Sequence, residues 1–378
     1  MRILVYSNAP WSPSGYGTQT AQLVPRLASA GHEVAVAAFH GLQAAPLNWQ
    51  GFMVYPGSSE DPWAQDVLQG HYAHHRADLL ITLMDAWVLN PALLAGMNTA
   101  HWMPADCSPL SAMDRRVLAE GGGRPVAMSG FGRRQLEDAG WAPLYAPHAI
   151  DTQAVFAPLP DRDVIRDGLG LAGMFLIGIN AANQDPVRKG LAEQFEAFAA
   201  LHAAHPEAQL LVNSRCDTRQ GVALNALAAA CGLGPDCLQF ADQYLYSAGL
   251  FGQDKLARWY GLLDVLSNCS YGEGFGLPVL EAQACGTPAV VSDFSAMSEL
   301  CGSGWLVEGA RYWNKGHEAW WQRPSVTAIT EAYEEAFTLW RSGGLAAYRE
   351  KAREFSLAYD ADRVLTGHWV PVLAELAA

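Results

Sequence analysis

Continuous apolar runs alternate along this chain with stretches whose apolar residues recur every three or four positions. RILVYSN (2–8) has no polar face, the mark of a parallel strand buried on both sides. A Pro/Gly/Ser loop follows, APWSPSGYG (9–17). TQTAQLVPRLASAG (18–31) then has helical spacing, with Thr18 placed to cap and Gly31 to stop it. HEVAVAAFH (32–40) predicts a second strand, which completes one βαβ unit of a doubly wound sheet. Further strands are predicted at 52–57, 79–85, 99–106 and 125–130.

After a Pro- and Asp-rich passage (147–163) the pattern restarts. Strands are predicted at 174–180, 208–214 and 287–293, a helix at 188–206, and a helix running into a strand over 254–270. The fold class is therefore α/β, with two Rossmann-like doubly wound parallel-sheet domains. The expected boundaries are 1–155, 156–357 and an amphipathic C-terminal helix over 358–378. The aromatic stretch YWNKGHEAWWQRP (312–324) reads as a long loop packed on the second domain, with stacking on a base or an acceptor sugar as the alternative. HYAHHRAD (71–78) reads as an exposed helical face, since its histidines lack acidic or thiol partners at metal-ligand spacing.

The chain's 378 residues exceed one ordinary core and suit two domains. Its net charge of −14 offers no basic surface for nucleic acid and disfavours an anionic membrane. The seven cysteines are scattered with no CxxC pair, which reads as reduced, buried thiols and no metal site. With no signal-like h-region and no long apolar span, a cytoplasmic protein, monomer or homodimer, is expected.

GEGFGLPVLEAQACGTP (272–288) carries the chemistry. Pro278 suits the first turn of a helix and Gly286 its end, giving a helix over roughly 278–285. The amides of Gly274, Phe275, Gly276 and Leu277 then form an anion site at its mouth, where a diphosphate fits. Glu273 and Glu281 flank that site, and carboxylates there suit hydroxyls rather than phosphate. Hydroxyls on both sides of a diphosphate describe a nucleotide sugar.

These residues resemble the GT4-type (group 1) retaining glycosyltransferases of GT-B fold, whose hallmark E-x7-E is matched by EGFGLPVLE (273–281). LASAGHEVAV (27–36), VAMSGFGRRQLEDAG (126–140), YAPHAID (145–151) and ARWYGLLDVLSNCSYGEGFG (257–276) extend the likeness along most of the chain. The resemblance implies an N-terminal acceptor domain and a C-terminal donor domain facing a cleft, with the last helix crossing back to the first domain. It places Glu281 on the ribose hydroxyls and Glu273 on the transferred sugar, and it gives the diphosphate to Lys189 with Arg188. Asn180 stands where the family usually has an arginine. Gly15, Tyr16 and Gly17 would face the acceptor, with His101 and Asp106 beside them in the cleft.

Implied in turn is retaining transfer from a UDP- or GDP-sugar to a hydroxyl on a glycan, lipid-linked or small-molecule acceptor, with no cofactor or metal required. A nucleotide-sugar epimerase of the same fold and a non-catalytic sugar-nucleotide binder are the alternatives. A dinucleotide oxidoreductase fits less well, because SGYG lacks the G-x-G-x-x-G spacing.

Overall fold

The computed structural model describes residues 1–378. It divides into two packed units. The first comprises Met1–Ile150, Asn314–Ala319 and Tyr359–Ala378; the second comprises Asp151–Trp313 and Trp320–Ala358.

Eight strands build the first unit: β1 (Arg2–Asn8), β2 (Glu33–His40), β3 (Leu47–Trp49), β4 (Phe52–Tyr55), β5 (Leu79–Leu83), β6 (Thr99–Met103), β7 (Arg124–Ala127) and β8 (Leu144–Tyr145). Their order is β3-β4-β2-β1-β5-β6-β7-β8, parallel except for the β3–β4 pair. β1 is central, with Leu4 opposite Ala35 on one side and Leu80 on the other. Its apolar run is continuous because both faces are covered.

The first helix, Gly15–Ser29, begins earlier than expected. Ser14 rather than Thr18 is the cap, its Oγ accepting from the Gly17 amide at 3.0 Å. Gly15, Tyr16 and Gly17 are thus the first turn of the helix and not a loop. Gly17 has no room for a side chain, since a Cβ there would lie 2.3 Å from the Ser12 carbonyl oxygen.

The histidine-rich helix, Gln65–His75, is less exposed than its sequence implies. His71 stacks on Tyr55 with ring centroids 5.0 Å apart, and His75 is buried. The C-terminal segment is not one helix either: a π-turn, Leu365–Trp369, separates Ala361–Val364 from Val370–Ala377. Pro371 has no amide to continue the ladder there. Trp369 packs edge-on against Trp102 at 4.8 Å, and Ile150 bridges to Asp360.

The second unit has a six-stranded parallel sheet ordered β11-β10-β9-β12-β13-β14. These strands are β9 (Phe175–Asn180), β10 (Ala208–Asn213), β11 (Leu238–Phe240), β12 (Val265–Asn268), β13 (Ala289–Ser292) and β14 (Gly304–Val307). Asp264, at the start of β12, is buried and satisfied. It accepts from Arg162 at 2.6 Å, Arg166 at 2.9 Å and the Leu176 amide at 2.9 Å. Such a pair fixes geometry more than it adds stability.

The aromatic stretch expected to be a loop is instead a two-stranded sheet, β15 (Gly309–Asn314) and β16 (Ala319–Pro324). Trp313 and Trp320 rings meet at 5.0 Å, and the Arg311 guanidinium lies 4.2 Å from the Trp320 ring centre. Aromatic pairs of this kind hold strands together, and the aromatic run conceals the strand alternation.

Candidate active site

Arg188 and Lys189 precede the helix Leu191–Ala204, in a turn that side chains fix in place. Asp185 Oδ1 accepts from the Val187 and Arg188 amides at 2.7 and 2.6 Å. Gln194 Nε2 donates to the Lys189 carbonyl at 2.8 Å, while its Oε1 accepts from Ser267 at 2.6 Å. Gly190 closes the turn at φ +56°, where a Cβ would come 2.2 Å from the Cys269 carbonyl oxygen. Gly190→Ala is therefore expected to cost about 2 kcal/mol or more, read as a shifted denaturant midpoint. An unchanged midpoint would mean that the turn is not held this way.

Both cations converge on Glu273, with Arg188 Nη1 at 2.9 Å and Lys189 Nζ at 2.5 Å. Ser270 Oγ donates to the same carboxylate at 2.8 Å. Burial by itself pushes the Glu273 carboxyl up, but Lys189, Arg188 and these hydrogen bonds overcome it and hold it at about 2. The Glu273 amide donates to Ser295 Oγ at 3.0 Å. Ser295 takes φ +59°, a strained value for a serine, to present that oxygen.

Glu281 lies in the opposite electrostatic setting. It is buried in the helix Leu277–Ala284, and the Tyr260 hydroxyl donates to its carboxylate at 3.0 Å. Burial raises its carboxyl to about 7, with the Tyr260 bond opposing. Asn180 Nδ2 donates to the Tyr260 oxygen at 2.6 Å, and Asn213 Nδ2 donates to Asn180 Oδ1 at 2.9 Å. Asn180 is engaged at both ends of its amide and supports Tyr260. Two glutamates eight positions apart are thus held at pKa values far apart, the pattern expected where each has its own task.

Gly276, at φ +111°, turns the chain into the helix Leu277–Ala284. Val279 makes the first hydrogen bond back, to the Gly276 carbonyl at 3.0 Å. The amides of Gly274, Phe275, Gly276 and Leu277 accordingly lie ahead of the helical ladder, beside Glu273.

In the first unit the structure corrects one expectation outright. His101 is a core residue of β6, wholly buried, with Nδ1 3.0 Å from Thr82 Oγ1 and Nε2 3.1 Å from the Gly122 carbonyl oxygen. Burial lowers it to about 4, so it is a neutral, satisfied imidazole that faces no ligand. Tyr16 donates to Asp85 Oδ2 at 3.2 Å, and Asp106 lies in the loop after β6, next to buried Cys107. Sequence reasoning missed Ser270, Ser295, Asp185, Gln194 and Tyr260. Only Asp185, placed ahead of the cation pair as a turn former would be, left any signal.

Residues 177–316 match the family described as glycosyl transferases group 1. This stretch is the part of the chain that resembles the group 1 glycosyltransferases. It contains Arg188, Lys189, Glu273 and Glu281. A D-inositol 3-phosphate glycosyltransferase of Mycobacteroides abscessus is 29% identical over 209 residues, which cover 52% of this chain and 45% of that protein. The chain spans less than half the length of the curated relatives it matches.

Among solved structures, sucrose-phosphate synthase of Thermosynechococcus elongatus superposes with a TM-score of 0.77 at 17% identity, covering 100% of both chains. Anabaena HepE, solved in complex with UDP-glucose, gives 0.69 at 16% identity, covering 99% of this chain and 100% of that one. The chain thus has the GT-B fold of these structures. No helix is long and apolar enough to cross a membrane.

Proposed function

We propose that the chain is a retaining glycosyltransferase using a nucleoside diphosphate sugar. The observation that carries this reading is the convergence of Arg188 and Lys189 on one buried carboxylate, beside the amides that open the Leu277 helix. A donor diphosphate brings the negative charge that these two cations and amides are arranged to meet. Glu273, ionised at any working pH, then accepts from hydroxyls of the transferred sugar, and Glu281 accepts from the ribose.

In the reaction the bond from the anomeric carbon to the diphosphate breaks, and a bond to the acceptor oxygen forms on the same face. The acceptor proton passes to the departing phosphate oxygen. The protein's contribution is position and charge: Lys189 and Arg188 meet the negative charge that develops on the leaving group. UDP-glucose in HepE supports a UDP-sugar as the first donor to try.

A thermal-shift series with UDP-, GDP- and ADP-sugars tests the reading. A donor at a hundred times its Kd stabilises by about 2.7 kcal/mol, which raises Tm measurably. If no nucleotide sugar raises Tm, the diphosphate site is misassigned.

A further inference from the structure

The loop after β6, the Ser111-capped helix Ala112–Gly121 and the turn Asn314–Ala319 all belong to the first unit. Together they gather Asp106, Cys107, Asp114 and His317, the last of which is far from the others in sequence. A carboxylate oxygen of Asp106, Sγ of Cys107 and a ring nitrogen of His317 all lie within 4.8 Å of one another. We propose that these three side chains bind a divalent transition-metal ion, Zn2+ by their donor set, in a site separate from Glu273 and its cations. The proposal goes beyond glycosyl transfer and does not depend on it.

The geometry is close to what the ion requires. Zinc bond lengths of about 2.0–2.3 Å in a tetrahedron put neighbouring ligand atoms roughly 3.5 Å apart, within small side-chain adjustments of the spacing here. His317 is held in position by its turn. Asn314 Oδ1 accepts from the Gly316 and His317 amides at 2.8 and 3.2 Å, and the His317 carbonyl accepts from the Ala112 amide at 3.3 Å. The Trp87 ring meets the imidazole edge-on at 6.4 Å. A thiolate with an imidazole and a carboxylate selects zinc over magnesium or calcium.

Asp114, on the helix after this loop, is 5% exposed, and its Oδ2 accepts from Ser111 at 2.7 Å. A coordinated Cys107 thiol is held as thiolate by the ion. The ion then ties the Asn314–Ala319 turn to the loop after β6.

The experiment is metal analysis of the purified full chain after zinc loading and desalting, followed by exchange with Co2+. About one zinc per chain is expected, together with the near-ultraviolet thiolate-to-cobalt absorption that marks a Cys ligand. Cys107→Ser should lose that absorption. His317→Ala, in a surface turn that circular dichroism can show to be otherwise folded, should weaken zinc by more than about 100-fold. Cys231→Ser should keep both signals. Substoichiometric zinc in the wild type, a cobalt spectrum without the thiolate band, or full zinc binding by His317→Ala would each overturn the proposal. The nucleotide-sugar thermal shift is read on the same His317→Ala protein. A shift that persists without zinc binding shows that the two sites fail or stand independently.

Discussion

Lys189→Ala is expected to lower kcat for sugar transfer by about 100- to 1000-fold, the loss seen when one preorganised charge-stabilising group is removed from a transition state. The lysine is only 12% exposed, and its ammonium is already held at the site, so little ordering is required when the donor arrives. The variant should fold, because Glu273 keeps Arg188 at 2.9 Å and Ser270 at 2.8 Å. Its nucleotide-sugar thermal shift should shrink or vanish. A rate within threefold of wild type, or a full-sized shift, would remove Lys189 from the leaving-group role.

The same substitution has a pH signature. The folded pKa of Glu273 lies below its ordinary 4.5, so its ion pairs contribute stability that is present above about pH 4.5 and lost as pH falls through about 2. Removing the largest opposite charge raises that folded value. Acid unfolding of Lys189→Ala should therefore begin at a higher pH than in the wild type, as circular dichroism across an acid titration would show.

What the sequence revealed of this site was whatever depends on local pattern. The E-x7-E spacing, Pro278 and Gly286 placed the Leu277 helix to within a residue, because caps and stops are read from neighbours. The parallel strands β1, β2, β9 and β10 were legible as unbroken apolar runs. The failures share a different cause. His101 looked like a cleft residue because its position at a strand end was visible, while its partners Thr82 and Gly122 lie on other elements. Ser295, Tyr260 and Gln194 meet the site only through tertiary packing, and no spacing rule connects them to Glu273 or Glu281. The β15–β16 pair was hidden because aromatic residues fill both faces of a ribbon that would otherwise alternate.

Glu281→Gln should make the protein more stable and a poorer donor binder at once. Glu281 has a folded value of about 7 against an ordinary 4.5, so the folded state holds its proton more tightly than the unfolded chain does. That contribution is fully present below about pH 4.5 and is lost as pH rises through 7. Above pH 7 the fold carries a buried carboxylate that the Tyr260 hydroxyl alone is seen to stabilise. Glutamine has the same shape, accepts the same bond and never ionises. The variant should match wild type near pH 4 and exceed it by up to about 3 kcal/mol at pH 8, since each tenfold change in proton affinity is worth about 1.36 kcal/mol. Binding moves the other way. A ribose hydroxyl donates more strongly to a carboxylate than to an amide, so donor affinity should fall by about tenfold, the weight of a lost charge assistance. A stability gain made at the expense of ligand is what a functional buried charge produces, whereas a structural carboxylate would show the gain alone. Denaturant unfolding of both proteins from pH 4 to 8, with donor titrations at pH 8, separates the cases. A gain that is flat with pH would show that Glu281 is not a strained acid, and unchanged donor affinity would take the ribose away from it.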